Sequence, residues 1–159
     1  MHPKKRQRAV VLLVEDDPGD QEITRRALEE DVIRVDLRIV EDGEEAIAYL
    51  LRQGRYAAPQ AAPRPDLILL DLNLPKKDGR AVLQAVRADP TIDFIPIVVL
   101  TTSDQEADIL RSYKLGCNSY ITKPIDVQKF FATIRELGTY WLELVSLPRD
   151  AAGSAEAFE

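Results

Sequence analysis

The stretch Leu67-Ile-Leu-Leu70 is apolar at four consecutive positions and stops at Asp71, with Pro75 and Gly79 just beyond. A strand with one wet face alternates apolar and polar residues, so an unbroken run predicts a strand buried on both faces, as in a parallel sheet covered by helices. A carboxylate at the end of such a strand lies where open parallel sheets bind their ligands. Taken alone, Asp71 is better explained as a turn or cap residue after a core strand. The rest of the chain has to supply chemical partners before it becomes a reactive group.

Four further strand patterns accompany it. Ala9-Val-Val-Leu-Leu-Val14 is a first buried strand, bounded by Glu15-Asp-Asp17 and by Pro18-Gly19. In the second, Val35, Leu37 and Ile39 alternate with Asp36 and Arg38, the pattern of a half-exposed strand near a sheet edge. Ile95-Pro-Ile-Val-Val-Leu100 is the fourth, with its proline near the beginning, and the fifth is a short strand within Cys117 to Thr122. Helical periodicity separates them. Pro18 suits a first turn, Asp20 and Glu22 favour the positive end of the dipole, and Ile23, Ala27, Leu28 and Val32 form an apolar stripe. Asp42-Gly43 leads into a helix with Ala46, Ile47, Leu50 and Leu51 inward, and Arg80 to Ala88 buries Val82, Leu83 and Val86 before Asp89-Pro90. Ser103 with Glu106 has capping-box spacing for a fourth helix that ends at Gly116, and Asp126 starts the last one. Residues 55–65 carry three prolines and no periodicity, which predicts a connecting surface loop. Strand and helix alternate five times, so the expected fold is α/β with a parallel sheet covered on both faces.

The bulk properties narrow the chemistry. At 159 residues there is room for one domain. A net charge of −6 argues against sequence-independent nucleic-acid binding. The single cysteine, Cys117, excludes an internal disulfide framework, and the single histidine, His2, lies near a terminus, which disfavours histidine catalysis. The basic leader containing Lys4, Lys5, Arg6 and Arg8 precedes an apolar run too short for a signal core and without a cleavage pattern, and no segment has membrane-spanning length. The expectation is a cytoplasmic protein with no membrane and no nucleic-acid partner.

In a right-handed parallel sheet all strands end on one edge. The residues there are Glu15-Asp16-Asp17, Asp71, Thr101-Thr102 and Lys123-Pro124, drawn from segments far apart in sequence. Each alone is an ordinary cap, turn or solvated loop; their coincidence at one edge is informative. Several carboxylates in one crevice repel unless a cation intervenes. Mg²⁺ resolves this, since it takes oxygen ligands and commonly binds one or two carboxylates plus phosphate, with the backbone carbonyl of Asn73 available to complete the set. Asp71 could then attack phosphorus, with Lys123 neutralising equatorial oxygen charge and the Thr101 hydroxyl donating to the same group.

These residues resemble those of the receiver domains of two-component response regulators: an acidic pair after the first strand, Asp71 before Leu-Asn-Leu-Pro with Asp78-Gly79, Thr101, and Lys123-Pro124. The resemblance implies a flavodoxin-like, doubly wound five-stranded sheet of order 2-1-3-4-5. It implies Mg²⁺ on Glu15, Asp16 and Asp71, with Asp71 as phosphoryl acceptor and Asp17 just outside the pair. It also implies Tyr120 as an aromatic switch that turns inward when Thr101 moves toward phosphate. Thr102 departs from the Ala or Gly common in the family, which bears on access to the phosphoryl group. More narrowly, Leu-Pro-Lys76-Lys77-Asp-Gly, Thr101-Thr-Ser-Asp104, the segment Ser112 to Pro124 and Tyr140-Trp-Leu resemble single-domain regulators paired with bacterial phytochrome histidine kinases. That implies a histidine kinase partner and a homodimer through the fourth and fifth helices and the C-terminal extension.

The expected organisation is a basic tail over 1–8, a receiver domain over 9–137, a helical extension over 138–148 and a disordered tail over 149–159. The last helix has Val127, Phe130, Phe131, Ile134, Leu137, Trp141, Leu144 and Val145 at helical spacing, with Gly138 in the middle predicting a kink or break. Its extension either covers its own domain or meets another subunit. With no output domain in the chain, the signal is expected to leave by protein contact, to a downstream protein the sequence does not specify. The competing reading is a receiver-like interaction module that works without phosphorylation. A flavodoxin-type nucleotide binder would not place three acids after the first strand. A haloacid-dehalogenase-type phosphatase needs a second aspartate where Asn73 stands, and a P-loop is absent.

Overall fold

Alternation of the apolar runs with amphipathic helices produces five parallel strands: β1 (Arg8–Val14), β2 (Arg34–Val40), β3 (Leu67–Leu70), β4 (Ile97–Thr101) and β5 (Ser119–Thr122). They lie in the order β2-β1-β3-β4-β5, every pair parallel. The computed structural model describes residues 8–30 and 32–148. The expected terminal tail, and the basic leader apart from Arg8, lie outside the described residues. Arg8 itself is not tail: it opens β1 opposite Arg34 and pairs with Asp36 at 2.6 Å.

The period of two in a strand divides each apolar run between two cores. Leu12, Val14, Ile68, Leu70, Val82, Leu83 and Val86 form one, with α2 (Gly43–Leu50) and α3 (Gly79–Ala88) above it. Val11, Leu13, Leu67, Leu69, Ala27, Leu28, Phe130 and Ile134 form the other, under α1 (Pro18–Glu29) and α5 (Val127–Gly138). This is why Leu67–Leu70 needs no polar position: all four residues are buried. Each such leucine contributes about 1.5–3 kcal/mol by leaving water. On β2 the side chains from Val35 to Ile39 are only partly buried, as the alternating pattern requires of an edge strand, and Val40 alone is fully buried.

Several local expectations change. The fourth helix, α4 (Glu106–Leu115), starts after Gln105, not Ser103; the Ser103 hydroxyl instead donates to Asp108 Oδ2 at 2.6 Å. A side-chain bond into the first turn of α4 has taken the place of the backbone cap. Val32 falls beyond α1 and is exposed, so the stripe ends at Leu28. Residues 55–65 are better ordered than a bare connector: single 3₁₀ turns at Gly54–Tyr56 and Pro59–Ala61 bring Ala62 into the core, and Tyr49 Oη donates to the Pro63 carbonyl at 2.7 Å. Proline fixes φ and so costs little entropy to order.

At Gly138 the last helix changes hydrogen-bonding register rather than stopping, and Thr139–Leu144 continues as a π-helical turn. Widening the helix there rotates the apolar residues. Leu142 is buried, and Trp141 and Leu147 pack on the α1/α5 core, while Val127, Tyr140 and Leu144 remain exposed. The extension therefore covers its own domain and still presents an outer apolar face. Among the described residues no helix is long and apolar enough to cross a membrane.

One charged side chain ties α3 to two connections, the one from α3 to β4 and the one from α4 to β5. The Arg87 guanidinium in α3 donates to the carbonyls of Gly116 (2.9 Å), Asp93 (2.8 Å) and Ile95 (2.9 Å), and to Asn118 Oδ1 (2.9 Å). Arg87→Met strands these acceptors and is expected to lower unfolding free energy by about 2–4 kcal/mol. Urea denaturation checks this, as a lower midpoint with an unchanged slope.

Candidate functional site

Buried polar groups gather where the strands end. Glu15 follows β1, Asp71 follows β3, Thr101 ends β4 and Lys123 follows β5, and all four are buried. The parallel ladder itself holds three of them. Glu15 N–H donates to the Val40 carbonyl (3.0 Å), Asp71 N–H to Val14 (3.1 Å) and Lys123 N–H to Thr101 (2.7 Å). Each backbone is thus locked one residue past its strand, and the side chains converge above the sheet edge.

Lys123 Nζ is the centre. It donates to Glu15 Oε1 at 2.5 Å, Asp20 Oδ2 at 2.8 Å and Asp71 Oδ2 at 3.2 Å. Glu15, Asp16 and Asp71 each offer a carboxylate oxygen, all within 4.8 Å of one another. Asp16 is exposed while the other two are buried, so a cation held by the trio would have an open side toward solvent. Such an oxygen set suits a hard divalent ion. Asp17 is occupied elsewhere: its carboxylate caps α1 by accepting from Gly19 N–H at 2.8 Å. Asn73 is exposed, and its N–H donates to Asp71 Oδ1 at 3.2 Å.

Asp20 is the member that sequence reasoning assigned elsewhere. As an acid in the first turn of α1 it was fully explained by the helix dipole. Its position carried the missing signal. Only three residues separate β1 from α1, so the first turn of that helix has to overhang the same edge.

Three carboxylates face one ammonium, and the balance shows in the protonation of Glu15 and Lys123. Burial, reinforced by the charge of Asp71 and only partly offset by Lys123, pushes Glu15 up to about 7. Burial opposes the charge on Lys123, but bonds to Asp20 and Glu15 and the charge of Asp71 outweigh it and raise its pKa. The ammonium therefore stays charged among carboxylates that outnumber it.

Thr101 Oγ1 is buried with no hydrogen-bond partner. Leaving a hydroxyl so costs on the order of 1–3 kcal/mol, which marks a donor awaiting an acceptor. Beside it, Thr102 is exposed. Tyr120 is half-buried, and its hydroxyl donates to the Ser103 carbonyl at 2.9 Å. The Ser103 hydroxyl bonds Asp108, which also accepts from Arg80 Nη2 at 2.6 Å. The β4–α4 connection is thus tied to α3, the helix that begins just after the Asp71 loop.

That loop is shaped by two close approaches. A Cβ on Gly79 would lie 2.4 Å from the Asp71 carbonyl oxygen, and one on Gly43 would lie 1.8 Å from that of Lys77. Glycine alone lets α3 and α2 close on the loop.

A raised carboxyl pKa has a definite linkage sign. Glu15 moves from an ordinary value of 4.5 to about 7 on folding, so its stabilising protonation is complete below about pH 4.5 and is lost as pH rises through about 7. In chelator, the Tm of Glu15→Gln should fall less between pH 5 and pH 8 than that of the unmodified protein; parallel curves from differential scanning fluorimetry would contradict this.

Comparison with known proteins agrees with this geometry. The family model for the response regulator receiver domain matches residues 11–135. Rcp1, a response regulator of Synechocystis sp., is 45% identical over 139 residues, covering 87% of this chain and 92% of Rcp1. The phosphorylated cyanobacterial phytochrome response regulator RcpA has a similar structure, with TM-score 0.85 and 45% identity over 89% of this chain and 99% of the other. The Mn²⁺-bound form of Rcp1 gives TM-score 0.84 at the same 45% identity, again covering 89% and 99%. The chain, with its parallel sheet and four buried strand-end groups, belongs to the response regulator receiver domain family and is a two-component signalling protein similar to a cyanobacterial phytochrome response regulator.

Proposed function

We propose that Asp71 accepts a phosphoryl group from a histidine kinase, and that Glu15, Asp16, Asp71 and the Asn73 carbonyl hold Mg²⁺ for this transfer. The observation that carries the reading is the buried, unpartnered Thr101 hydroxyl at the same sheet edge as the Lys123–Asp71 pair. A buried unpaired donor at the end of β4 and an ammonium bonded to Asp71 at the same sheet edge suit the binding of an anion there. Mn²⁺ in the Rcp1 structure and phosphorylation of RcpA support the same chemistry.

When bound, the divalent ion supplies charge neutralisation at the transferring phosphoryl oxygens. The chain does the rest. An Asp71 carboxylate oxygen attacks phosphorus in line with the phosphohistidine nitrogen; the new P–O bond forms as the P–N bond breaks, and the imidazole keeps the electron pair and takes up a proton. Lys123 turns from the Asp71 carboxylate to a phosphoryl oxygen, and Thr101 Oγ1 donates to another. Such a transition state is loose and charge-spread, so positioned cations and donors provide most of the rate. Drawing Thr101 and the β4–α4 loop toward phosphate breaks the Tyr120–Ser103 bond and lets the ring turn inward, a shift between two preexisting arrangements.

The protein then acts as a phosphoacceptor switch rather than an enzyme, in the cytoplasm, and passes the signal to a downstream protein by contact. Similarity to the phytochrome response regulators favours a bacteriophytochrome as the kinase. The outward Tyr140 and Leu144 favour a homodimer through the extension together with α4 and α5.

Incubated with a small phosphoryl donor and Mg²⁺, the protein should gain the mass of one phosphoryl group and Asp71→Asn should gain none; equal labelling by intact mass spectrometry sinks the acceptor assignment. Charging the extension with Tyr140→Glu and Leu144→Glu should convert a dimer to monomer in light scattering while leaving the fold intact, since both side chains point away from the core. An unchanged mass would remove the dimer from the reading.

A further inference from the structure

We infer that Asp20 is the anchor of Lys123, a positioning residue that keeps the ammonium at the site when its other two partners are engaged by a metal ion. This rests on the reading of Asp71 as phosphoacceptor. An ammonium has three N–H donors, and here they go to Glu15, Asp20 and Asp71 at 2.5, 2.8 and 3.2 Å. Two of these acceptors have a second claim on them. Glu15 and Asp71 belong, with Asp16, to the trio of carboxylates close enough to share a metal, and Asp20 does not. A divalent cation in that trio draws on the same oxygens and repels the neighbouring lysine, because like charges a few ångströms apart in a poorly hydrated site interact strongly.

Asp20 is built for the remaining task. Its carboxylate sits in the first turn of α1, where the helix dipole favours negative charge. The turn is pinned by the buried Thr24, whose hydroxyl donates to the Asp20 carbonyl at 2.8 Å. Its side chain is also the most hydrated of the three, 24% exposed against 3% for Glu15 and 9% for Asp71, so holding a charge there costs least. The consequence is mechanical. Lys123 can exchange Asp71 for a phosphoryl oxygen by pivoting on the Asp20 contact, without ever being released to solvent.

The test compares Asp20→Ala with Asp20→Asn in the full chain. Asparagine keeps an acceptor oxygen in place of the carboxylate; alanine removes acceptor and charge together. In protein carrying ¹⁵N-lysine at saturating Mg²⁺, the Lys123 NH₃⁺ resonance, assigned by its loss in Lys123→Arg, should persist in the parent and in Asp20→Asn. In Asp20→Ala its hydrogen exchange should quicken at least about tenfold, the factor for losing one charge-assisted bond of roughly 1.4 kcal/mol. Labelling by a small phosphoryl donor at saturating Mg²⁺ should slow by a similar factor of about ten in Asp20→Ala, Asp20→Asn should recover at least half of that loss on a logarithmic scale, and Asp20→Ala should add nothing in a Lys123→Ala background.

Unchanged exchange and labelling in Asp20→Ala overturn the inference, as do equal losses in Ala and Asn, which would mean a field effect of charge alone, or additive losses with Lys123→Ala. If neither the parent nor any variant is labelled, it is the phosphoacceptor reading that fails, and the lysine resonance still decides whether Asp20 anchors Lys123.

Discussion

One ammonium among an excess of carboxylates is the interaction on which the site depends. Lys123 bonds Glu15, Asp20 and Asp71, and Asp16 stands close by. Without it, buried Glu15 and Asp71 would repel across a poorly hydrated crevice; with it, the crevice remains acidic enough to draw in a cation. A fully neutralised cluster would be more stable and would bind nothing. Net stability has been exchanged for an electrostatic vacancy of defined sign, a common feature of functional sites.

The same economy appears at Thr101. Its hydroxyl is buried and unpaired at the end of a strand whose other residues are fully apolar. β3 and β4 are buried throughout, which leaves their backbone little room to move, so adjustment there falls to the Thr101 side chain and the loop that follows. The loop that follows Thr101 is tied through Ser103 to Tyr120 and, by way of Asp108, to Arg80 at the beginning of α3. The end of β4 is thus connected to the α4 surface through Ser103, Tyr120, Asp108 and Arg80 rather than through the core. α4 is lightly held: Ser112 is its only fully buried residue, and that hydroxyl is unpaired too. A helix with so little apolar burial is inexpensive to displace.

Much of this was legible in the chain. The parallel sheet, the edge character of β2 and the convergence of Glu15, Asp71, Thr101 and Lys123 follow from period, polarity and the rule that parallel strands end together, while the strand order 2-1-3-4-5 follows from the family resemblance. The residues that escaped did so for one reason: each had a satisfactory local explanation. Asp20 served as a dipole acid, Ser103 as a cap with Glu106, and residues 55–65 as a proline-rich connector. For Asp20 and for residues 55–65 a partner outside the local segment, Lys123 for the first and Tyr49 for the second, outweighed the local preference, and for Ser103 a side-chain bond to Asp108 in the first turn of α4 took the place of the cap.

The sequence by itself determined the layers, the sheet edge that carries chemistry and the residue types that gather there, because hydrophobic period and strand direction are local properties that repeat along the chain. Tertiary structure alone decided how one lysine divides its three hydrogen bonds, which acid caps a helix and which faces the site, and which face of the C-terminal turn meets the core. Those are contests between groups far apart in sequence, settled by distances of a few tenths of an ångström that no pattern along the chain encodes.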